Sequence, residues 1–163
     1  MQYKIEISIE NKKLDLLNVA NGTTAKSYII NTSKFGPGEA MGSNCTPRGR
    51  HIIRAKIGTD APLNTVFKGR RATGEIYERG MKDKFPDKDW VLTRILWLSG
   101  KEPGENRLGY VDTMRRYIYI HGCPDDYEIG KASTIGCINM RNDDLIELFD
   151  LVPAYTVVNI REN

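Results

Sequence analysis

A chain of 163 residues can bury roughly two-thirds of its unfolded surface in one core, so it needs no disulfide or metal staple to fold. Lys and Arg exceed Asp and Glu by 24 − 21 = +3, and 40% of the residues are hydrophobic. That balance describes an ordinary globular protein, and it neither requires nor excludes a polyanionic partner.

The opening MQYKIEISIE alternates apolar and charged residues rather than setting a basic run before an apolar one, and nothing later is long enough to span a bilayer. Cys45, Cys123 and Cys137 are odd in number and irregular in spacing, which argues against a disulfide framework. The chain is therefore expected to be cytoplasmic and free of membrane, or periplasmic if a leader has been removed.

Residues 1–163 are expected to form one domain, with an N-terminal hairpin over 1–20. Tyr3, Ile5, Ile7 and Ile9 alternate with polar residues, Glu10-Asn11 offers a turn, and Leu14, Leu16 and Leu17 begin the return strand. Further strands are predicted over 25–31, 51–57, 91–99, 116–121 and 155–160, separated by Gly- and Pro-rich turns. Residues 58–89 are polar and turn-rich and read as a long excursion from the core. In NDDLIELFDLVP, Leu145, Leu148, Phe149 and Val152 repeat with helical spacing, Asp144 and Glu147 read as a capping box, and Pro153 marks the stop. The expected fold is mainly β: an antiparallel sandwich or partly closed barrel with a helix packed late in the chain.

Metal chemistry finds no support, because Cys45-x5-His51 and His121-x-Cys123 match neither common zinc spacing. KGRRATGE lacks the spacing of a phosphate loop, and the basic stretches KGRR and RGRH are not interleaved with stacking aromatics, so neither a nucleotide cofactor nor a nucleic-acid partner is expected. What stands out is a thiol and an imidazole. His121 ends the strand-like RRYIYIHG, and Cys137 follows Gly136 after a segment long enough to fold back beside it. A cysteine nucleophile needs a base within reach and backbone donors for an oxyanion. On composition alone, Cys137 reads first as a small buried hydrophobe, and a catalytic role comes second. His51 reads as a sheet residue, Cys45 and Cys123 as packing, and Trp90 and Trp97 as sheet core.

The run YIYIHG, the following IGKASTIGCINM and the helix opening at DDL together resemble the active-site segment of the YkuD-type L,D-transpeptidase catalytic domain. That family's pattern is His-Gly, a spacer, then [Ser/Thr]-His-Gly-Cys-[Ile/Val]-[Arg/Asn]. His121 and Gly122 match the first block; Thr134, Gly136, Cys137, Ile138 and Asn139 match the second; Thr46, Pro47 and Gly49 resemble an upstream Thr-Pro-x-Gly stretch. The resemblance implies the family's β fold with one or two helices. It also implies Cys137 as acyl-forming nucleophile, and His121 as general base oriented by a backbone carbonyl. Gly136 and Cys137 N–H groups would form the oxyanion hole, with Thr134, Gly122 and Asn139 shaping the site. Arg141 or Arg71 is a candidate clamp for a substrate carboxylate. The implied partner is a peptidoglycan stem peptide or muropeptide, with carbapenems as inhibitors and no cofactor. One departure is Ile135, where the family has a second histidine. With the expected cytoplasmic location, it points to water as acyl acceptor: an L,D-carboxypeptidase of muropeptide recycling, the alternative being an L,D-transpeptidase that forms cross-links or exchanges D-amino acids.

Overall fold

The computed structural model describes residues 2–163. The strands are β1 (Tyr3–Ser8), β2 (Lys13–Asn18), β3 (Thr24–Ser33), β4 (Gly49–Ile57), β5 (Thr65–Lys68), β6 (Arg71–Ile76), β7 (Val91–Gly100), β8 (Tyr119–Gly122), β9 (Ala132–Thr134), β10 (Ile138–Met140) and β11 (Val157–Arg161). A one-turn helix α1 (Met81–Lys84) precedes β7, and α2 (Asn142–Leu151) precedes β11.

Eight strands close a barrel in the order β4, β11, β1, β2, β3, β10, β8, β7, completed where β7 pairs back with β4. Most ladders are antiparallel, but β1 runs parallel to β11 and β10 parallel to β8. The barrel is closed rather than partly closed, which removes the open edges a sandwich of this size would have to protect. Alternation along the strands sends Ile5, Ile7, Leu14, Leu16, Ile30, Ile53, Leu96, Leu98, Ile120, Ile138 and Met140 into one core, to which α2 adds Leu145, Leu148 and Phe149. Burying each such side chain contributes about 1.5–3 kcal/mol. Among the described residues, no helix is long and apolar enough to cross a membrane.

Several expected boundaries shift for local reasons. The strand expected over 116–121 begins only at Tyr119, because Arg116 and Tyr117 belong to a tight turn that closes onto Asp112 and Met114, and Tyr117 has φ +57. Tyr155, with φ +71, likewise delays the last strand to Val157. The capping box is not formed. Arg141 is the N-cap without a side-chain cap, Asp144 lies inside the first turn, and Glu147 instead accepts the Tyr28 hydroxyl at 2.6 Å. The excursion over 58–89 is not irregular: it holds the β5–β6 hairpin, which extends the sheet from β7, and then α1.

One irregularity governs the site. Thr93 in β7 has φ +77, a left-handed backbone that a β-branched residue seldom adopts, and the β7–β8 ladder slips between Leu92 and Ile95. The slip lies directly opposite His121 and Gly122.

Candidate active site

Residues of β8 and β10 that alternate with the core positions point outward from the barrel. Ile120 and Ile138 face inward, so Tyr119, His121, Cys137 and Asn139 share the outer face, with His121 opposite Asn139 in the parallel ladder. The β5–β6 hairpin packs over this face, and Phe67, Ile95 and Tyr119 form a buried cluster against which Val91, Trp97 and Cys137 pack.

The Cys137 thiol is suspended from the backbone entering β8. Sγ accepts the Tyr119 N–H at 3.3 Å and donates to the Tyr117 carbonyl at 3.4 Å. His121 is buried, and its Nδ1 lies 2.7 Å from the Gly122 carbonyl, which can only accept. The proton therefore sits on Nδ1, and Nε2 presents a basic lone pair that meets no protein donor among the described residues. Burial holds the imidazole below its ordinary value, against the smaller opposing pull of the Asp89 carboxylate. Burial, reinforced by Asp89, pushes the Cys137 thiol up to about 12, while the Tyr119 N–H and Arg116 pull the other way. In both groups burial favours the neutral form, thiol and imidazole rather than thiolate and imidazolium.

Local backbone geometry sets the thiol loop. Gly136 has φ +128, and a Cβ there would meet Ile118 Cδ1 at 3.0 Å and the Cys45 carbonyl at 3.3 Å, so only glycine fits. Thr134 staples the turn: its hydroxyl donates to the Cys137 carbonyl at 2.6 Å and accepts the Gly136 N–H at 3.2 Å. The Gly136 N–H is thus occupied, contrary to the expectation of a free oxyanion donor. Cys137 N–H has no acceptor among the described residues and is the open one. Arg116 braces the neighbouring 38–45 segment, donating to the Cys45 carbonyl at 2.6 Å and to Ser43 Oγ and the Gly38 carbonyl at 3.3 Å each.

Behind the imidazole lies a polar knot that the sequence did not reveal. Asn142, 2% exposed, accepts the Thr93 hydroxyl at 2.7 Å and donates to the Cys123 carbonyl at 2.8 Å, Asn64 Oδ1 at 3.0 Å and Asp125 Oδ1 at 3.2 Å. Gly122 packs so closely on Asn142 and on the Leu92 carbonyl that no side chain could be added there. The knot fixes the strained Thr93, the bulge and the carbonyl that orients His121.

Other expected residues fall in different places. Asn139 is buried on the outer face, its Oδ1 without a partner, between His121 and Asn31 in the sheet. Ile135 is 48% exposed on the thiol loop. Arg141 is exposed at the start of α2 and acts electrostatically on Cys123 and Asp144. Arg71 is exposed on β6; its neighbour Arg70 is the one turned onto the site, donating to the Tyr119 hydroxyl at 3.2 Å. Trp97 is half-buried beside Cys137 rather than in the barrel core, whereas Trp90 packs edge-on to Tyr77 in a separate buried cluster. Buried Cys123 is pushed up to about 12 by desolvation, and His51 sits fully buried in β4.

The protein Bd1075 of Bdellovibrio bacteriovorus superposes with TM-score 0.62 at 17% identity over 99% of this chain and 48% of its own. An Enterococcus faecium L,D-transpeptidase gives 0.57 at 18% over 99% and 50%, and L,D-transpeptidase 3 of Mycobacterium tuberculosis, solved with a faropenem-derived adduct, 0.59 at 12% over 98% and 60%. At such identities the likeness speaks to the fold, and this chain spans about half the length of those proteins. The YkuD protein of Bacillus subtilis is 41% identical over 51 residues, a stretch covering 31% of each chain. The family model described as the L,D-transpeptidase catalytic domain matches residues 2–160, nearly the whole sequence, and this chain belongs to that family.

Proposed function

We propose that this protein is a cysteine-dependent L,D-carboxypeptidase that removes the terminal D-alanine from peptidoglycan tetrapeptides, with Cys137 as nucleophile and His121 as general base. Family membership supports a peptidoglycan stem peptide as substrate. The thiol proton passes to His121 Nε2 as Sγ attacks the carbonyl before the terminal residue, and the oxyanion is received by the Cys137 N–H. Collapse returns that proton to the leaving amine, freeing D-alanine and leaving a thioester. His121 then takes a proton from water, which attacks the thioester and releases the shortened peptide with Cys137 restored.

The observation that carries the choice of a small acyl acceptor is the β5–β6 hairpin, whose Arg70 rests on Tyr119, the residue whose N–H holds the thiol. A half-buried thiol flanked by this hairpin favours water over a second peptide strand. The unpaired state of all three cysteines suits a reducing cytosol and a role in recycling. The second reading, an L,D-transpeptidase that cross-links or exchanges D-amino acids, draws on the same family membership.

The test is mass spectrometry of a disaccharide tetrapeptide incubated with the protein, with and without excess D-amino acid. Loss of one alanine without added amine, abolished in Cys137→Ala and in His121→Ala while circular dichroism stays unchanged, is the expected result. Exchange or dimer formation with little hydrolysis would replace this reading with the transpeptidase. Intact-mass labelling of Cys137 by a carbapenem is also expected, since a neighbouring L,D-transpeptidase was solved in complex with imipenem.

A further inference from the structure

Arg70 occupies a position that the reaction above leaves unused. Gly69 and Arg70, with φ +55 and +64, form the two-residue turn of the β5–β6 hairpin, in the left-handed pair typical of a type I′ turn. The turn carries the Arg70 guanidinium to a point 4.9 Å from the ring centre of Trp97 and 4.8 Å from that of Tyr117. One N–H is spent on the Tyr119 hydroxyl at 3.2 Å. Among the described residues no carboxylate pairs with Arg70, so most of a five-donor fork remains open while stacking fixes its plane.

The residues that hold this cation are those that hold the nucleophile. Tyr117 and Tyr119 grip Sγ with their backbone carbonyl and N–H, and grip Arg70 with their side chains. The open fork therefore lies beyond the far end of the same tyrosine whose backbone holds Sγ, one side chain and a 3.2 Å hydrogen bond away from it. In a substrate attacked at the carbonyl before its last residue, the terminal α-carboxylate lies one residue repeat from that carbonyl, ~3.8 Å. That carboxylate projects beyond the attacked carbonyl, and a planar, pre-oriented guanidinium suits it.

We propose that Arg70 is a specificity residue that binds the α-carboxylate of the leaving terminal residue, confining the enzyme to the free end of a peptide. This inference rests on the acyl-transfer reading above and adds the anion that the site selects. Since leaving group and entering amino acid share one subsite, the same fork would receive a free D-amino acid in an exchange reaction.

The test compares kcat/KM for a tetrapeptide with a free C-terminus, its C-terminal carboxamide, and a peptide with lysine in third place, lacking any side-chain carboxylate there. Each is run with wild type, Arg70→Gln and Arg70→Lys, and Cys137 alkylation by iodoacetamide confirms an unaltered thiol site in each variant. Wild type is expected to favour the free acid over the amide by about 10- to 100-fold, the range for charge-assisted hydrogen bonds at a partly exposed site. Arg70→Gln should lose that preference through a fall on the acid alone, Arg70→Lys should retain part of it, and the lysine peptide should keep the full Arg70 dependence. Equal wild-type rates on acid and amide would overturn the inference and leave the reaction standing. So would an equal fall on both substrates in Arg70→Gln, which marks a hairpin latch. Arg70 dependence that vanishes with the lysine peptide would move the contact to the third residue and refute the assignment. Turnover of none of the peptides by wild type would instead sink the reaction, and this inference with it.

Discussion

Asn142→Ala should cost this protein more stability than any other single loss of an amide near the site. The amide spans four partners, of which Asp125 is exposed and Asn64 half-exposed, so both can turn to water. The Thr93 hydroxyl and the Cys123 carbonyl cannot, because both lie in buried residues. Two buried polar groups stripped of a partner cost about 1–3 kcal/mol each, so ~3 kcal/mol together is a conservative sum. For a domain of this size each kcal/mol shifts the midpoint by about 2–4 °C, giving a fall of about 6–12 °C. Asn142→Asp should be worse, since it keeps the acceptor for Thr93 but loses both donors and sets a carboxylate beside Asp125. Thermal unfolding by calorimetry at neutral pH reads both. Catalysis should suffer in kcat more than KM, because the knot backs the carbonyl that orients His121. A midpoint within ~2 °C of wild type would refute the reasoning and show that Thr93 holds its left-handed backbone without help.

Four further outcomes follow from the same geometry. With His121 held below about 6.5 and Cys137 raised to about 12, kcat/KM should climb on an acid limb centred below pH 6.5; a midpoint above that value would contradict a buried neutral base. His51, held down to about 4 by burial, is neutral when folded and protonated first when unfolded, so it should stabilise the protein fully above pH 6.5 and lose that contribution progressively down to about pH 4. Urea midpoints that stay flat across this window would exclude it. Gly136→Ala forces a side chain into a backbone with φ +128 and against Ile118, costing about 1–3 kcal/mol by urea unfolding and nearly all turnover; an active, stable variant would show that the thiol loop relaxes freely. Ile135→His, at an exposed rim position, should leave stability unchanged and raise the ratio of D-amino acid exchange to hydrolysis, and an unchanged ratio would acquit Ile135 of acceptor choice.

The parts of this molecule written in local pattern were legible. Alternation from Tyr3 to Ile9 and across YIYIHG marks strands whose inward residues reach the core, and the spacing of Leu145, Leu148 and Phe149 marks the one long helix. The backbone partner of His121 followed from glycine at 122, which has no side chain to offer. Features stabilised only at a distance stayed hidden. A threonine with φ +77 opposes its own propensity and is held by Asn142 and Asn64, remote in sequence. Asn142 reads locally as an ordinary first-turn residue of a helix. KGRR lacks the Asn-Gly signature of a tight hairpin, so Arg70 passed unnoticed in favour of Arg71 and Arg141.

Strand β11 fills the gap between β1 and β4, pairing parallel to one and antiparallel to the other. On the ribosome, β1 and β4 therefore wait, each with an unpaired edge, until residues 157–161 have left the exit tunnel. Ring closure is then a late event that joins strands some 150 positions apart, so barrel assembly is non-local and slow to nucleate. A nascent chain arrested before Val157 would carry two sticky edges at once, making the interval before β11 emerges the point at which this enzyme most needs a chaperone.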